Sequence, residues 1–345
     1  MNRRLFLGMW AASVLHVYAK ENPETQLKIL NYEDYFAETT LSDFSLGTGV
    51  DIGLHTYGSD TEMTAKFLAA NPRYDLVFMS DLNVERYIRL GGLLTSIDKA
   101  MIPNIKNIEK DFLTATFDPA RVYSLPYFWG TLGIGYRKST FKATPTLKDL
   151  LDSDEHSGRI ALLADGATNI QMALKYLGFS LNTSKKEEID QATALFKKQK
   201  EHIKVFAADN GQDLLKNDEV DVVLEWNGDM LQLIDESDDF GFVVPEVGTL
   251  LWEDCIVIPA RAPHIKEAHD FINYLYSKKA GLLLADYLQY ATPNAAVKAR
   301  MPSEYLRHPA IFPSEQTLKK CEKLKYTGAK VKAWYNQAWS EIIGD

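Results

Sequence analysis

The chain is expected to be an α/β protein built in two domains. Its 345 residues exceed what one ordinary hydrophobic core encloses. From Gln26 onward, short apolar runs alternate with helical patterns, the order that favours parallel strand pairing. A composition 46% hydrophobic and 25% charged is that of a globular chain rather than a disordered one. No repeat, low-complexity tract or linker separates the halves, which implies several chain crossings between domains instead of one tether.

The elements follow in order. Residues 26–32 alternate into an apolar run and form a strand. Residues 40–46 are a short helix ended by Gly47, 50–56 a second strand, and 61–70 a helix. Residues 75–79 are a buried strand stopped by Ser80, and 83–90 a helix ended by Gly91 and Gly92. The stretch from Tyr123 to Tyr136, rich in aromatic residues and broken by Pro126, Gly130, Gly133 and Gly135, is extended and is the crossing point between domains. A second α/β set follows, with strands at 159–163 and 220–225 and helices at 169–176 and 186–198. Extended runs at 242–245 and 255–259, helices at 265–276 and 279–287, and a last helix at 329–343 complete the reading.

The N-terminus differs from the rest. Asn2-Arg3-Arg4 is a basic start, residues 5–17 are mostly apolar, and Val17 and Ala19 are small residues at the two positions a signal peptidase reads. This is the pattern of a secretory signal peptide over residues 1–19. This 13-residue stretch falls short of the roughly 20 that a bilayer-spanning helix needs; an uncleaved anchor is the alternative. No Cys lies near the cleavage point, which argues against a lipid anchor. Removing residues 1–19 takes away two Arg and no acid, leaving 36 basic and 47 acidic residues and a net charge of −11. Such a chain repels nucleic acid and anionic membrane and weakly attracts cations. Cys255 and Cys321 either bridge in an oxidising compartment or remain buried thiols.

Several segments place rings beside carboxylates: residues 31–35 (Asn-Tyr-Glu-Asp-Tyr), Glu225-Trp226-Asn227-Gly228 and Trp252-Glu253-Asp254, with Asp165-Gly166 as a further acidic turn. Each sits where an apolar run ends or breaks, where loops carry function on a rigid scaffold. Rings beside carboxylates suit an elongated cation with methylene spacers, the rings covering the CH2 groups and the carboxylates pairing with the ammonium ends. Taken singly, each segment also has a structural explanation. Asp165 is placed to cap the following helix, and Asp34 to cap the segment leading to Thr40. Asp254 interrupts two apolar runs with no basic neighbour, so it needs either a distant Lys or Arg or a ligand ammonium.

Other chemistries lack a signature. His264 and His269 lie five apart, with no HExxH or CxxC to make a metal site. There is no strand-borne GxGxxG, no GxxxxGK[ST] and no GxSxG, and no cofactor is implied.

In their order along the chain, NYEDY, YDLVFMS, YSLPYFWGTLGIG, LLADGATNIQMALKYLG, LEWNG, LLWEDCIVIPA and YATPNAA resemble the PotD-type polyamine-binding proteins. These are the secreted substrate-binding subunits of spermidine/putrescine ABC transporters, and the resemblance runs from about residue 27 to the C-terminal helix. It implies a two-lobed α/β type II periplasmic-binding fold with an interlobe cleft and a crossed-strand hinge. One lobe would comprise residues 26–131 and 252–296, the other 132–251 and 297–345. It implies a periplasmic monomer that hands its ligand to membrane permease subunits and has no enzymatic activity. Tyr32, Tyr35, Trp226 and Trp252 would sandwich the methylene chain, Asp34, Asp165 and Asp254 would bind ammonium groups, and Ser80 would lie at the first-lobe edge.

The departures bear on the ligand. The usual Trp is Tyr32, a second-site Tyr is Leu82, an amine-binding Glu is Thr168, and a Gln near the C-terminus is Leu324. Fewer partners for charge favour a diamine such as putrescine; the three remaining carboxylates, with Glu33 as a substitute, favour spermidine, which is the expectation adopted. The alternatives are a receptor of the same fold for another cation or small molecule, a sensor that does not transport, or a secreted hydrolase using Asp165 and Asp254 as an acid/base pair.

Overall fold

The computed structural model describes residues 26–344 apart from 70, 72 and 209, so the expected signal peptide lies outside the described residues. Nine strands join in one sheet: β1 (Gln26–Tyr32), β2 (Asp51–Tyr57), β3 (Leu76–Ser80), β4 (Ser124–Arg137), β5 (Ile160–Leu163), β6 (Ile203–Ala207), β7 (Val222–Trp226), β8 (Phe240–Val243) and β9 (Leu251–Val257). Their spatial order is β2-β1-β3-β9-β4-β7-β5-β6, with β8 paired to β4.

The sheet has two halves. In the first, β1 runs parallel to β2 and β3, and β9 is antiparallel to β3. In the second, β5 runs parallel to β6 and β7. β4 belongs to both, pairing with β9 over its first part and with β7 from Leu132 to Tyr136. The aromatic stretch read as a crossing is therefore a single 14-residue strand. Pro126 precedes a shift in register before Trp129, the irregularity in which a residue without an N–H is tolerated. Gly130 allows the strands to cross closely: a Cβ there would fall 2.3 Å from Asn227 Oδ1 and 2.6 Å from the Trp252 ring.

Each half is covered on both faces, as parallel sheets require. Leu27, Ile29, Leu76, Phe78, Ile256 and Phe271 form one core of the first half, and Leu30, Val77, Met79, Cys255 and Val257 its other face. Leu132, Ile134, Ile160, Leu162, Phe196 and Ile342 fill the second half, with Ala161, Val223 and Met230 behind them. Each buried aliphatic or aromatic side chain contributes about 1.5–3 kcal/mol.

Two expectations change. The boundary expected at residue 297 moves, because Val297, Met301, Tyr305, Ala310 and Ile311 pack in the core of the first half. Tyr305 is anchored there, its hydroxyl accepting the Thr292 N–H at 3.1 Å. The chain returns to the second half only beyond this segment, where Glu322 bridges to Leu250 and Val331 enters the second core. The first helix, Thr40–Thr48, ends at Gly49 rather than Gly47, since Gly49 supplies the left-handed φ of 75°. The helix Asn227–Glu236 and strand β6 add to the elements read from sequence. Cys255 and Cys321 are both free.

Candidate functional site

The carboxyl ends of β1, β2 and β3 meet at one edge of the first half, and those of β5 and β7 at one edge of the second. Ligands of open α/β sheets bind at such edges. Side chains alternate along β9, so Trp252 and Asp254 share one face while Glu253 and Cys255 take the other. Ser80 is the cross-strand partner of Asp254. The Tyr35 hydroxyl donates to Asp254 Oδ2 at 2.7 Å and the Tyr32 hydroxyl to Oδ1 at 3.2 Å.

Asp254 is only 8% exposed. Burial lifts its carboxyl to about 7 in spite of the two tyrosine hydroxyls, and Asp60 and Glu253 push it in the same direction. Burial, and after it Asp254, holds both tyrosine hydroxyls well above their usual range, so they remain donors. Among the described residues no Lys or Arg pairs with Asp254.

The cations nearby are engaged behind it. The fully buried Arg121 guanidinium bonds to Glu253 and, at 2.9 Å, to the Phe112 carbonyl. Lys323 Nζ lies 2.6 Å from Glu253 Oε2 and 3.8 Å from Asp81. Burial alone would raise the Glu253 carboxyl, but Lys323 and Arg121 outweigh it and hold Glu253 below the usual range. Asp81, less favourably placed, is raised by burial to about 8. Of the two partners left open for Asp254, a distant Lys or Arg or a ligand ammonium, the distant cations belong to its neighbour Glu253, and the face bearing Asp254 stays acidic.

A run of touching rings extends from Asp254. Tyr57 lies 4.6 Å from Tyr32, and Tyr32 lies 5.3 Å from Tyr35. Tyr35 is 6.0 Å from Tyr290, and Tyr290 meets Trp252 edge-on at 4.8 Å. Trp252 meets Trp226 at 6.2 Å and 86°. Each edge-to-face pair is worth about 0.5–1.5 kcal/mol beyond the area it buries. Tyr57 and Tyr290 were not among the residues singled out from sequence, although Tyr290 begins the segment YATPNAA. Gly228 is explained by the same ring: a Cβ there would lie 2.4 Å from Tyr290, whose hydroxyl donates to Asp229 at 3.0 Å.

In the second half, Asp165 caps the helix Gly166–Tyr176, accepting the Ala167 N–H at 3.0 Å and the Thr168 hydroxyl at 2.8 Å. Its cap role is therefore real, and it still faces solvent. Trp226 closes β7 at the start of the helix Asn227–Glu236. Asp34 is exposed on a turn at φ 49°, and after burial its charge raises the Tyr287 hydroxyl. Glu33 is exposed on the same turn. Leu324 packs against the second core. Tyr32, Tyr35, Ser80, Trp226, Trp252 and Asp254 are thus brought together, with Asp165 and Thr168 on the second half.

A family model described as bacterial extracellular solute-binding protein matches residues 39–313. The chain is 31% identical over 328 residues to the spermidine/putrescine-binding periplasmic protein of Escherichia coli K12, covering 94% of this chain and 92% of that one. The solved structure of PotD, the spermidine/putrescine ABC transporter substrate-binding protein of Streptococcus pneumoniae, superposes with a TM-score of 0.81 at 28% identity, over 92% of this chain and 98% of that one. A Listeria monocytogenes structure superposes with a TM-score of 0.87 at 28% identity, over 92% and 98% of the two chains. The architecture these structures share with this chain is the two-lobed type II periplasmic-binding fold.

Proposed function

The chain belongs to the bacterial extracellular solute-binding protein family, and from that premise we propose that it is the polyamine-binding subunit of an ABC importer. In this reading a leader at residues 1–19 is cleaved on export to the periplasm, and the mature monomer captures spermidine or putrescine between its lobes and delivers it to the permease. It binds and releases its ligand unchanged.

The observation that carries the reading is Asp254: a buried carboxylate with tyrosine hydroxyls on both oxygens, without a cation, beside an unbroken run of rings. A protonated amine supplies the missing charge, and the adjoining methylenes lie against Tyr32, Tyr35, Trp226 and Trp252. Asp165, at a helix start on the opposite lobe, takes a second ammonium, with Ser80 and Thr168 as neutral oxygens and Asp34 at the rim. Each cation–π contact contributes about 0.5–2 kcal/mol and each charged hydrogen bond about 1.5–3. A few of each reach the 8–12 kcal/mol or so of micromolar to nanomolar binding. Contacts from both lobes favour the closed arrangement that a permease recognises.

Calorimetric titration of the ligand-free protein with spermidine, putrescine, thiamine, ferric ion and sugars tests the proposal. Binding of one equivalent of a polyamine, tighter for spermidine, is the expected result. Selective binding of a non-amine, or turnover of any of these compounds, overturns it.

A further inference from the structure

Residues 322–326 are anchored on one lobe and reach the other. Their backbone is tied beside Leu250 of the second core: the Glu322 N–H donates to the Thr249 carbonyl at 3.0 Å, and the Glu322 carbonyl accepts the Leu251 N–H at 2.9 Å. The Asn182 carboxamide clasps Leu324, donating to the Lys323 carbonyl at 2.9 Å and accepting the Lys325 N–H at 2.8 Å. The Glu322 carboxylate pairs with Lys175 at 2.7 Å, and Leu324 packs against the second core. From this backbone, contacts cross to β9 and to the helix Asp81–Leu90 of the first half. Lys323 Nζ is 2.6 Å from Glu253 Oε2 and 3.8 Å from Asp81 Oδ2. Further along that helix, Glu85 accepts the Tyr326 N–H at 2.8 Å, and the Arg89 guanidinium lies 6.0 Å from the centre of the Tyr326 ring. The first half does not balance these charges alone. Arg121 holds the other oxygen of Glu253, but Asp81 Oδ2 is buried without a hydrogen bond among the described residues, and its ion pair there is with Lys323. A buried carboxylate deprived of its cation is costly, so drawing Lys323 away penalises separation of the lobes.

We propose that Lys323 is a positioning residue for ligand capture: carried by the second lobe, its ammonium engages Glu253 and Asp81 of the first and holds the lobes together before any ligand arrives. It acts through these carboxylates and touches no ligand, because Glu253 and Asp254 face opposite ways along β9. The ligand then meets a protein whose closed form is already populated, and apparent affinity scales with that population. The effect on affinity rests on the polyamine reading above; the hold between the lobes does not.

Small-angle X-ray scattering with and without saturating spermidine, and calorimetric titration of spermidine and putrescine, are carried out on wild type, Lys323→Met and Lys323→Arg. The double variant Asp81→Asn/Lys323→Met, which leaves Asp81 no charge to bury, gives the same readings where Lys323→Met alone does not fold. Ligand-free Lys323→Met is expected to have a larger radius of gyration than wild type and to return to the wild-type value with spermidine. Its spermidine affinity falls about three- to tenfold, as the competent population falls. Lys323→Arg keeps the wild-type radius and affinity. A ligand-free radius unchanged in Lys323→Met and in the double variant overturns the proposal. So does an expansion that saturating spermidine fails to reverse, or a Lys323→Arg protein as open as Lys323→Met. Wild type that binds neither polyamine overturns the polyamine reading, while the ligand-free scattering still decides the role of Lys323.

Discussion

Tyr35 and Asp254 lie 219 residues apart and are joined by a buried hydrogen bond of 2.7 Å. That bond ties the turn after β1 to the middle of β9 and fixes the orientation of a carboxylate that no Lys or Arg pairs with among the described residues. The site is therefore assembled by the sheet, and its chemistry depends on what occupies the space in front of Asp254.

Replacing Asp254 with Asn keeps the shape of the side chain and removes the charge. One charge-assisted hydrogen bond is worth about 1.5–3 kcal/mol, so spermidine affinity is expected to fall at least tenfold in a calorimetric titration. An unchanged dissociation constant removes Asp254 from the site.

The acidity of the site gives the pH dependence a definite sign. Asp254, held near 7, lies above the ordinary value of 3.8. Through this group the ligand-free folded state binds more protons than the unfolded chain from about pH 4 to 7. Its contribution to stability therefore falls as pH rises through that window. An ammonium beside it favours the ionised form and lowers its pKa. Spermidine binding then expels protons, and its affinity is expected to weaken between pH 7.5 and 5.5, by up to about tenfold per unit. The thermal shift at fixed spermidine grows over the same interval as pH rises. A pH-independent dissociation constant contradicts the arrangement.

Gly228 has no room for a side chain, with Tyr290 at 2.4 Å and the Leu288 carbonyl at 2.7 Å from a Cβ placed there. Gly228→Ala is expected to destabilise the fold by about 1–3 kcal/mol through overpacking, more than the 0.5–1 kcal/mol or so that alanine gains in a helix. Urea denaturation measures it, and a variant as stable as wild type shows that Tyr290 yields.

Arg121 is wholly buried against Glu253. Arg121→Met leaves that carboxylate, among the described residues, with Lys323 as its one remaining cation and is expected to cost about 3–5 kcal/mol. Chemical denaturation showing a loss below 1 kcal/mol would mean that Lys323 suffices.

The fold was legible because apolar runs and helix boundaries are local. β1 and the last helix, Ala329–Ile343, fall where the pattern puts them. Asp254 was legible for the same reason, since a charge between two buried runs stands out. What could not be read were choices made across the chain. Glu253 draws in Arg121 from 132 residues away and Lys323 from 70, and nothing near residue 253 announces either. Tyr290 joins the rings only because the first half folds it against Trp252. The segment at 297–312 carries ordinary helical signals that fit either lobe; only packing assigns it.

The two indoles of this region sit on different bodies, Trp252 on the strand of the first half and Trp226 at the tip of a strand of the second. Their perpendicular contact spans the seam between them. Any swing of one body against the other changes the distance between two chromophores, and the protein's intrinsic emission becomes a gauge of its own gape that needs no label.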